Sequence, residues 1–377
     1  DPDSVATAEE LAALRQRMDE ALALLKKAKL GGDERRNLYE LPWYVIIGPP
    51  GSGKTTALVN SGLHFPLAAQ LGAGAVRGVG GTRNCDWWFT DQAVLLDTAG
   101  RYTTQDSHAT VDKAAWLGFL DLLKTQRSRR PIDGAFVAIS LSDLLLGSEA
   151  ERAAHAAAIR LRIQELYTQL GVRFPIYLML TKLDLVPGFM EFFDSLSKEE
   201  RAQVWGMTFA LDDGKSGDSP LAHLPAELAA LEQRLNERLV ERLQQERDPA
   251  RRDLIYGFPQ QFAALKESLQ SFLEGVFKPN AFEERVLLRG VYFTSGTQEG
   301  SPIDRLIGAM AQSMNLDRQH LARQTGTGRS YFIEKLFSAV AFAERGLVGV
   351  NPKVERRRKW IARGALAGTV ALVLVVS

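Results

Sequence analysis

The sequence predicts an α/β protein with a mostly parallel sheet that is covered by helices on both faces. Short apolar runs alternate with helical stretches, and buried strands of parallel sheets have this unpatterned apolar character. Two extended runs between Asn84 and Leu96 flank Thr90-Asp91-Gln92 and predict one antiparallel hairpin at the sheet edge. The other predicted strands or strand centres are 43–47, 94–96, 135–140, 176–180 and 286–294.

The composition indicates a folded protein without a strong overall charge. The 377 residues are 45% hydrophobic and 24% charged, which suits about two packed domains and excludes disorder for most of the chain. The net charge of +1 provides no field that would gather nucleic acid, so no nucleic-acid partner is predicted. The single cysteine, Cys85, cannot form an internal disulfide and indicates a reducing compartment.

Helical periodicity predicts the segments around the sheet. Apolar residues recur every three or four positions from 4 to 29, which predicts an amphipathic helix that leads into the sheet. Leucines from Leu224 to Leu243 form a second stripe, and apolar residues from Phe262 to Val276 form a third that is predicted to begin at Pro259. The predicted segments are a lead-in helix at 1–40, a core at 41–186 with 285–300, a helical insertion at 187–284, a helical extension at 301–352 with helices at 303–316 and 331–345, and a basic and apolar segment at 353–377.

The last predicted segment has the pattern of a membrane anchor. Residues 364–376 carry no charge, and this run is shorter than the roughly 17 to 25 residues of a membrane helix. Because the run meets the last residue and the chain starts without Met, we expect a piece of a longer protein. Basic residues from Lys353 to Arg363, with Trp360 at the join, are typical of the cytoplasmic flank of a membrane helix. A buried C-terminal helix and an RNA-binding arm are the alternatives.

The most specific motif follows the strand at 43–47. The run Gly48-Pro49-Pro50-Gly51-Ser52-Gly53-Lys54-Thr55 matches G-x-x-x-x-G-K-[ST] and precedes a helical stretch. Such glycines let successive backbone N–H groups wrap a phosphate at the start of the helix. Lys54 is expected to reach the β and γ phosphates, and the Thr55 hydroxyl is expected to ligate Mg²⁺. This motif predicts a site for nucleotide phosphates.

A second motif, Asp97-Thr98-Ala99-Gly100, ends a neighbouring strand, where ligand sites of α/β sheets lie. Asp97 is predicted to hold Mg²⁺, directly or through water, and the Gly100 N–H is predicted to face the γ phosphate. Thr82 lies between the two motifs in a loop with Gly80 and Gly81. It is predicted as a further contact to Mg²⁺ and the γ phosphate, and a turn residue is the alternative.

A third motif, Thr181-Lys182-Leu183-Asp184, follows the strand at 176–180. In guanine-nucleotide proteins an aspartate here accepts the N1 and N2 hydrogens of guanine, and the lysine stem covers the ring. Thr294-Ser295-Gly296 occupies the place where a short polar loop backs the base. These residues favour GTP, while ATP stays open because a long insertion begins directly after Asp184.

The motifs together define a predicted site at one edge of the sheet. The residues expected to take part in chemistry are Lys54, Thr82, Asp97, Gly100 and Arg101. The residues expected to bind nucleotide are Gly48, Pro49, Pro50, Gly51, Ser52, Gly53, Lys54, Thr55, Thr56, Thr181, Lys182, Asp184, Ser295 and Gly296. The expected Mg²⁺ ligands are Thr55, Thr82 and Asp97.

The arrangement resembles the Ras-like GTPase class of P-loop proteins, and four segments resemble a narrower family. The segments are LPWYVIIGPPGSGKTT, GVGGTRNCDWWF, LLDTAGRY and VYFTSGTQEGSPIDRL. They are similar to the cytoplasmic domain of TssM, also called IcmF, an inner-membrane component of the bacterial type VI secretion system. The resemblance spans essentially the whole chain. It implies a place at the cytoplasmic face of the inner membrane, TssL, TssJ and baseplate subunits as partners, and an oligomer in the full assembly.

Arg101 departs from the Ras-like pattern, which places a water-orienting glutamine directly after D-x-x-G. An arginine cannot accept a hydrogen bond from the attacking water, so slow intrinsic hydrolysis is expected. Arg101 is then expected to steady phosphate charge, with Gln105 or a partner in the role of the glutamine. A surface arginine on a mobile loop is the alternative.

Two functions fit these residues. The first is a Mg²⁺-dependent nucleotide switch with slow hydrolysis that is coupled to assembly of the membrane complex and the baseplate. The second is a structural scaffold whose nucleotide pocket is vestigial or does not hydrolyse. The intact phosphate motif favours the switch, and the missing glutamine suits the scaffold. The base is also open, because TssM proteins are commonly described as ATP-binding.

Overall fold

The computed structural model describes residues 2–27, 41–66, 85–106, 108–211, 219–280, 282–283, 285–296 and 329–349. Three of the predictions therefore fall outside the described residues. They are the contact at Thr82, the helix at 303–316 and the basic and apolar segment at 353–377.

The described strands form one seven-stranded sheet. They are β1 (Trp43–Ile47), β2 (Cys85–Phe89), β3 (Val94–Thr98), β4 (Gly134–Ser140), β5 (Pro175–Thr181), β6 (Gly206–Thr208) and β7 (Leu287–Phe293). Their order is β2-β3-β1-β4-β5-β7-β6, and neighbours are parallel except at the two edges, where β2 pairs antiparallel with β3 and β6 with β7. The predicted α/β class with a mostly parallel sheet is confirmed, and so is the hairpin at one edge.

The central strands are buried on both faces because nearly all of their side chains are apolar. In β1, Val45 and Ile47 point to one face, and Tyr44 and Ile46 point to the other. Every residue of β1, β3, β4 and β5 is buried. A shift of one residue would exchange the two faces of a strand, so burial fixes the register of the sheet.

Helices cover both faces of this sheet. They are α1 (Pro2–Lys27), α2 (Lys54–Val59), α3 (Gly100–Thr104), α4 (Ala109–Gln126), α5 (Leu141–Leu146), α6 (Glu149–Leu170), α7 (Phe189–Phe193), α8 (Lys198–Ala202), α9 (Leu224–Gln245) and α10 (Pro249–Phe277). The larger core lies under α1, α4, α6 and α10, while α2 and the segment 333–342 cover the opposite face. The lead-in helix α1 packs closely on α4, since a Cβ at Gly118 would lie 2.0 Å from the side chain of Leu11.

The structure corrects two details of the predicted insertion. The last long helix begins at Pro249, not at Pro259, because Asp248 caps it by accepting from the Ala250 N–H at 3.0 Å. A proline suits the first turn of a helix, whereas Pro259 lies inside α10 and leaves it intact between the buried Phe258 and Phe262. The insertion is also not wholly helical, because it contributes the edge strand β6.

The predicted helix at 331–345 also differs from the structure. This region contains a π-helix, Leu336–Ala341, and a 3₁₀ turn, Arg345–Leu347, follows at its end. Leu336 and Phe337 are buried against the sheet, and the Tyr44 hydroxyl donates to the carbonyl of Ala341 at 2.7 Å. The segment follows the shape of the sheet face instead of forming one regular α-helix.

A buried ion pair closes the end of the sheet opposite the predicted site. Arg127 and Asp133 have no solvent exposure, and Asp133 Oδ2 lies 3.4 Å from the Arg127 guanidinium and 2.7 Å from the backbone nitrogen of Trp43, whose N–H donates to it. The Arg127 guanidinium also lies 4.5 Å from the centre of the Trp43 ring. Removing one partner of such a pair leaves a buried charge without its counter-charge.

Asp133→Ala is therefore expected to lower the free energy of unfolding by about 3 kcal/mol. Urea denaturation followed by circular dichroism measures this change. Asp121→Ala is the control, because Asp121 is exposed on α4, and a change within about 0.5 kcal/mol is expected for it. Equal stabilities of the two variants would contradict a structural role for the buried pair.

Candidate functional site

The predicted phosphate loop connects β1 to α2 at the carboxyl edge of the sheet. Gly53 takes the left-handed conformation with φ 80°, which favours glycine, and a Cβ at this position would lie 3.3 Å from the Thr181 hydroxyl. That hydroxyl donates to the carbonyl of Ser52 at 2.6 Å. The end of β5 therefore fixes the conformation of the loop.

The side chain of Lys54 folds over this loop and is buried. Its Nζ donates to the carbonyls of Gly48 and Pro49 at 2.8 and 3.2 Å and to the Ser52 hydroxyl at 3.3 Å. Burial lowers the pKa of Lys54 to about 8, and the nearby charge of Asp97 acts in the opposite direction. The loop thus holds a buried cation that an anionic ligand would stabilise.

Thr55 and Asp97 bring two oxygen donors together. The Thr55 hydroxyl donates to Asp97 Oδ2 at 2.5 Å. This contact follows from the register of β1 and β3, which pairs Ile46 with Asp97 and ends both strands at the same edge. Hydroxyl and carboxylate oxygens are ligands that Mg²⁺ takes, so the donor set fits the ion that the sequence predicts here.

Gly100 begins the short helix α3 directly against the phosphate loop. A Cβ at this position would lie 2.4 Å from the backbone nitrogen of Pro50, a contact that real side chains do not make. One turn later, the Thr103 hydroxyl accepts from the Gly48 N–H at 3.1 Å. The close approach requires glycine, and it places the backbone of Gly100 beside the loop.

The third motif lies at the end of β5. Lys182 is half-buried and has a left-handed backbone with φ 60°, which turns the chain into the 3₁₀ segment Leu183–Leu185. Asp184 within that turn has no solvent exposure, and its Oδ1 accepts from the Ser295 hydroxyl at 2.5 Å. The two loops that the sequence assigns to the base are therefore in direct contact.

The loop at Ser295 and Gly296 is also held from the other side. The backbone of Ser295 exchanges two hydrogen bonds with Tyr331, at 3.0 and 2.8 Å. The side-chain amide of Asn60, which follows α2, donates to the Gly296 carbonyl at 2.5 Å. A Cβ at Gly296 would lie 3.2 Å from Thr56. The loop is thus clamped between the phosphate-loop helix and the segment that begins near Tyr331.

Arg101 directs its guanidinium toward two carboxylates on other helices. Its Nη2 pairs with Glu10 of α1, and its Nη1 pairs with Asp112 of α4. The hydroxyl of Tyr102 also donates to Glu10. Burial foremost, and then this hydrogen bond to Glu10, raises the pKa of the Tyr102 phenol. The neighbour Gln105 has a left-handed backbone and donates from its amide to the Tyr102 carbonyl at 3.4 Å.

All predicted site residues except Thr82 belong to the described part of the chain. The contacts above bring together the loop from Gly48 to Thr55, Asp97, Gly100, Thr181, Asp184 and Ser295. Pro50, Gly51 and Thr56 are exposed around this centre. Arg101 contacts the α1 and α4 carboxylates, and whether it also acts on phosphate stays a prediction.

Sequence reasoning missed four residues at this edge. Glu10 and Asp112 bind Arg101, Tyr331 bridges to Ser295, and burial raises the pKa of Asp143 while the charge of Lys182 acts against that rise. Glu10 and Asp112 are acidic residues on amphipathic helices, and no local signal separates them from the solvated carboxylates of the same helices. Asp143 follows the end of β4, where the position after a buried strand was a usable signal.

Comparison with known families decides the relationship of the chain. Residues 109–369 match the IcmF-related N-terminal domain, which is more than half of the 377 residues. The chain belongs to the IcmF-related family. The predicted resemblance to TssM and IcmF is therefore confirmed.

A curated relative agrees with this membership. The type VI secretion system component TssM1 of Pseudomonas aeruginosa is 84% identical over 377 residues. The match covers 100% of this chain and 34% of that protein, so the chain spans about a third of the length of its relative.

The solved structures that are similar to this chain include the following two. The signal recognition particle receptor SRβ-GTP/SRX complex from Chaetomium thermophilum is 16% identical with a TM-score of 0.25, and the match covers 38% of this chain and 70% of that chain. The small COPII coat GTPase SAR1 from Encephalitozoon cuniculi in complex with GDP is 11% identical with a TM-score of 0.26, over 82% and 95% of the two chains. TM-scores this low do not establish a shared fold, so the fold is assigned from the strand order of this chain.

Within the described part of the chain, none of the helices combines the length and the apolar character that crossing a bilayer requires.

The buried ammonium of Lys54 provides a test of the site geometry. We expect Lys54 to titrate with a midpoint near pH 8, well below the ordinary lysine value of 10.5, because burial disfavours its charged form. Asp97→Asn removes the charge that raises this pKa, so the midpoint is expected to fall further. NMR of chains labelled at the lysine side-chain carbons measures both values, and Lys54→Arg assigns the resonance. A midpoint at the ordinary value would contradict a buried Lys54.

Proposed function

We propose that this chain is a Mg²⁺-dependent nucleotide-binding domain that favours GTP and hydrolyses it slowly. One observation carries the proposal. The predicted phosphate, Mg²⁺ and base residues converge at the carboxyl edge of the sheet, joined by the hydrogen bonds from Thr55 to Asp97, from Thr181 to Ser52 and from Ser295 to Asp184. Isolated motif matches do not require such mutual contacts, whereas a single ligand site does.

The phosphate side of this site is formed by the loop and by two oxygen donors. Lys54 contributes the cation that pairs with the β and γ phosphates, and the backbone of the loop surrounds them. Thr55 and Asp97 are the described residues that would hold Mg²⁺. When bound, Mg²⁺ neutralises charge on the β and γ phosphates. We also propose Thr82 as a Mg²⁺ ligand, and this residue lies outside the described part of the chain.

The base side supports guanine. Asp184 is buried and already accepts one hydrogen bond from Ser295, and an ionised carboxylate has capacity for further donors. Guanine offers two donors, N1–H and the N2 amino group, whereas adenine presents an acceptor and a C–H at the same edge. Adenine cannot supply these two donors and would place an acceptor against the carboxylate, so the site disfavours adenine.

Slow hydrolysis follows from Arg101, which replaces the water-orienting glutamine and cannot accept a hydrogen bond. Its pairing with Glu10 and Asp112 fits a site where nucleotide stays bound and is hydrolysed slowly. The same observation favours the second candidate function, a scaffold with a pocket that binds but does not hydrolyse. A single-turnover assay separates the two: slow conversion of bound GTP to GDP supports the switch, and no conversion supports the scaffold.

Membership of the family supports a role for this chain in a larger system. We propose that the chain lies at the cytoplasmic face of the inner membrane, as part of an oligomeric membrane complex with TssL and TssJ, and that it contacts baseplate subunits. Membership of the IcmF-related family and 84% sequence identity to part of a type VI secretion system component support this proposal. In this role, nucleotide binding would bias assembly through the loops at Thr82 and Gly100.

Equilibrium binding of fluorescent GTP and ATP with Mg²⁺ to the 377-residue chain tests the base assignment. Lys54→Ala is expected to abolish binding of both nucleotides, because it removes the buried cation. Asp184→Asn is expected to weaken the affinity for GTP about 10- to 100-fold and to leave the affinity for ATP unchanged, because it removes a charged acceptor of two hydrogen bonds. Lys113→Ala and Asp121→Asn are the matched controls, since both side chains are exposed on α4.

Xanthosine triphosphate separates lost recognition from misfolding. Xanthine carries an oxygen where guanine carries the N2 amino group, so an asparagine amide at position 184 can donate to it. Asp184→Asn is therefore expected to bind xanthosine triphosphate more tightly than the unmodified chain does. If the unmodified chain binds ATP but not GTP, and Asp184→Asn binds ATP with the same affinity, guanine is rejected and the proposal of a nucleotide site stands. If neither nucleotide binds, the scaffold is the remaining candidate function.

A further inference from the structure

The residue directly after Gly100 connects the predicted phosphate site to the amino-terminal helix. Arg101 lies between Glu10 of α1 and Asp112 of α4 and pairs with both. The Asp112 side chain is buried, with 1% exposure, and that of Glu10 is 16% exposed. We call these three side chains the Arg101 cluster. Ion pairs that are shielded from water to this degree are screened less than surface pairs.

Helix α1 is held on the body of the protein by residues that follow Glu10. Leu11 packs against Gly118 of α4, and Leu14 and Met18 are buried in the larger core. Further along, the Arg17 guanidinium donates to Asp86 Oδ1 of the edge strand β2 at 3.2 Å. Glu10 is therefore a fixed point and not the end of a freely moving side chain on a mobile helix.

The other end of the connection is equally constrained. Gly100 touches the backbone of Pro50, and Thr103 accepts from the Gly48 N–H, so α3 rests on the phosphate loop. Because Arg101 is the next residue after Gly100, a force on its guanidinium acts on the Gly100–Arg101 peptide, which adjoins the peptide that carries the Gly100 N–H. The short helix α3 lies between the phosphate loop on one side and the Arg101 cluster on the other.

We propose that Glu10 is a positioning residue for the third phosphate of the bound nucleotide. Through Arg101 it holds α3 where the Gly100 N–H can donate to a γ-phosphate oxygen. A diphosphate has no such oxygen, so the Arg101 cluster favours the triphosphate over the diphosphate. This inference rests on the proposed nucleotide site and adds to it a role for a helix about 90 residues distant in sequence from the residue it positions.

The coupling is reciprocal. If docking of α1 strengthens binding of the triphosphate, then the triphosphate strengthens docking of α1 by the same factor. The backbone amides of α1 are therefore expected to exchange more slowly with solvent when GTP is bound than when GDP is bound. Loss of the Glu10 charge removes that difference. Loss of a residue that only stabilised the fold would weaken the binding of GTP and GDP equally and would leave the ratio of the two affinities unchanged.

The test measures the affinities of the 377-residue chain for GTP and GDP with Mg²⁺, beside Glu10→Gln. Glutamine keeps the shape of the side chain and removes its charge, and we expect the preference for GTP over GDP to fall about five- to tenfold. Glu9→Gln is the matched control, because Glu9 is the exposed neighbour on the same helix. In an Arg101→Gln background, Glu10→Gln is expected to have no further effect, since Glu10 acts through Arg101.

Hydrogen exchange of residues 5–23 provides the second readout. An unchanged ratio of GTP to GDP affinity in Glu10→Gln, with the unmodified chain binding both nucleotides, would overturn the role of Glu10 and leave the proposed function standing. The same exchange rate of α1 in the two nucleotide states would also overturn it. No binding of either nucleotide by the unmodified chain would overturn both. Glu10→Asp keeps the charge, and a preference closer to that of the unmodified chain supports the ion pair as the cause.

Discussion

The register of the central parallel strands is the constraint on which the candidate site depends. Ile46 pairs with Asp97, and Ser140 pairs with Thr181, so β1, β3, β4 and β5 end at one edge. Because these strands are buried on both faces, no strand can slip without exposing apolar side chains. The loops that follow are therefore brought together by packing far from the site, before any ligand contributes free energy.

Burial of charge at this edge carries a cost that the apolar strands do not share. Lys54 and Asp97 are both buried, and the charge of each offsets the desolvation of the other. The desolvation of Lys54 still exceeds this compensation, which is why its pKa falls. Proteins retain such groups at functional sites more often than in structural cores. The electrostatics of Lys54 thus agree with the motif that contains it.

Much of the fold could be predicted from the sequence because its signals are local. Strands such as 43–47 are continuous apolar runs, and the phosphate loop is a contiguous motif in a strand-loop-helix context. The three-residue strand β6 has no such signal, since its pairing with β7 is decided by tertiary packing. The helix through Pro259 escaped prediction because an intact helix around a proline depends on buried neighbours. The pairing of Glu10 with Arg101 is a long-range contact between two ordinary charged residues.

Two segments at opposite ends of the described chain reach the candidate site from different sides. Helix α1 contacts the phosphate side through Arg101, and the segment that begins near Tyr331 contacts the base side through Ser295. Neither segment belongs to the sheet, yet each is bonded to a loop that would touch the ligand. A movement at either loop therefore has a direct path out of the core, through an ion pair in one case and a backbone bridge in the other. An arginine at position 101 suits this connection, because its long cationic side chain can bind the carboxylates of two helices at once.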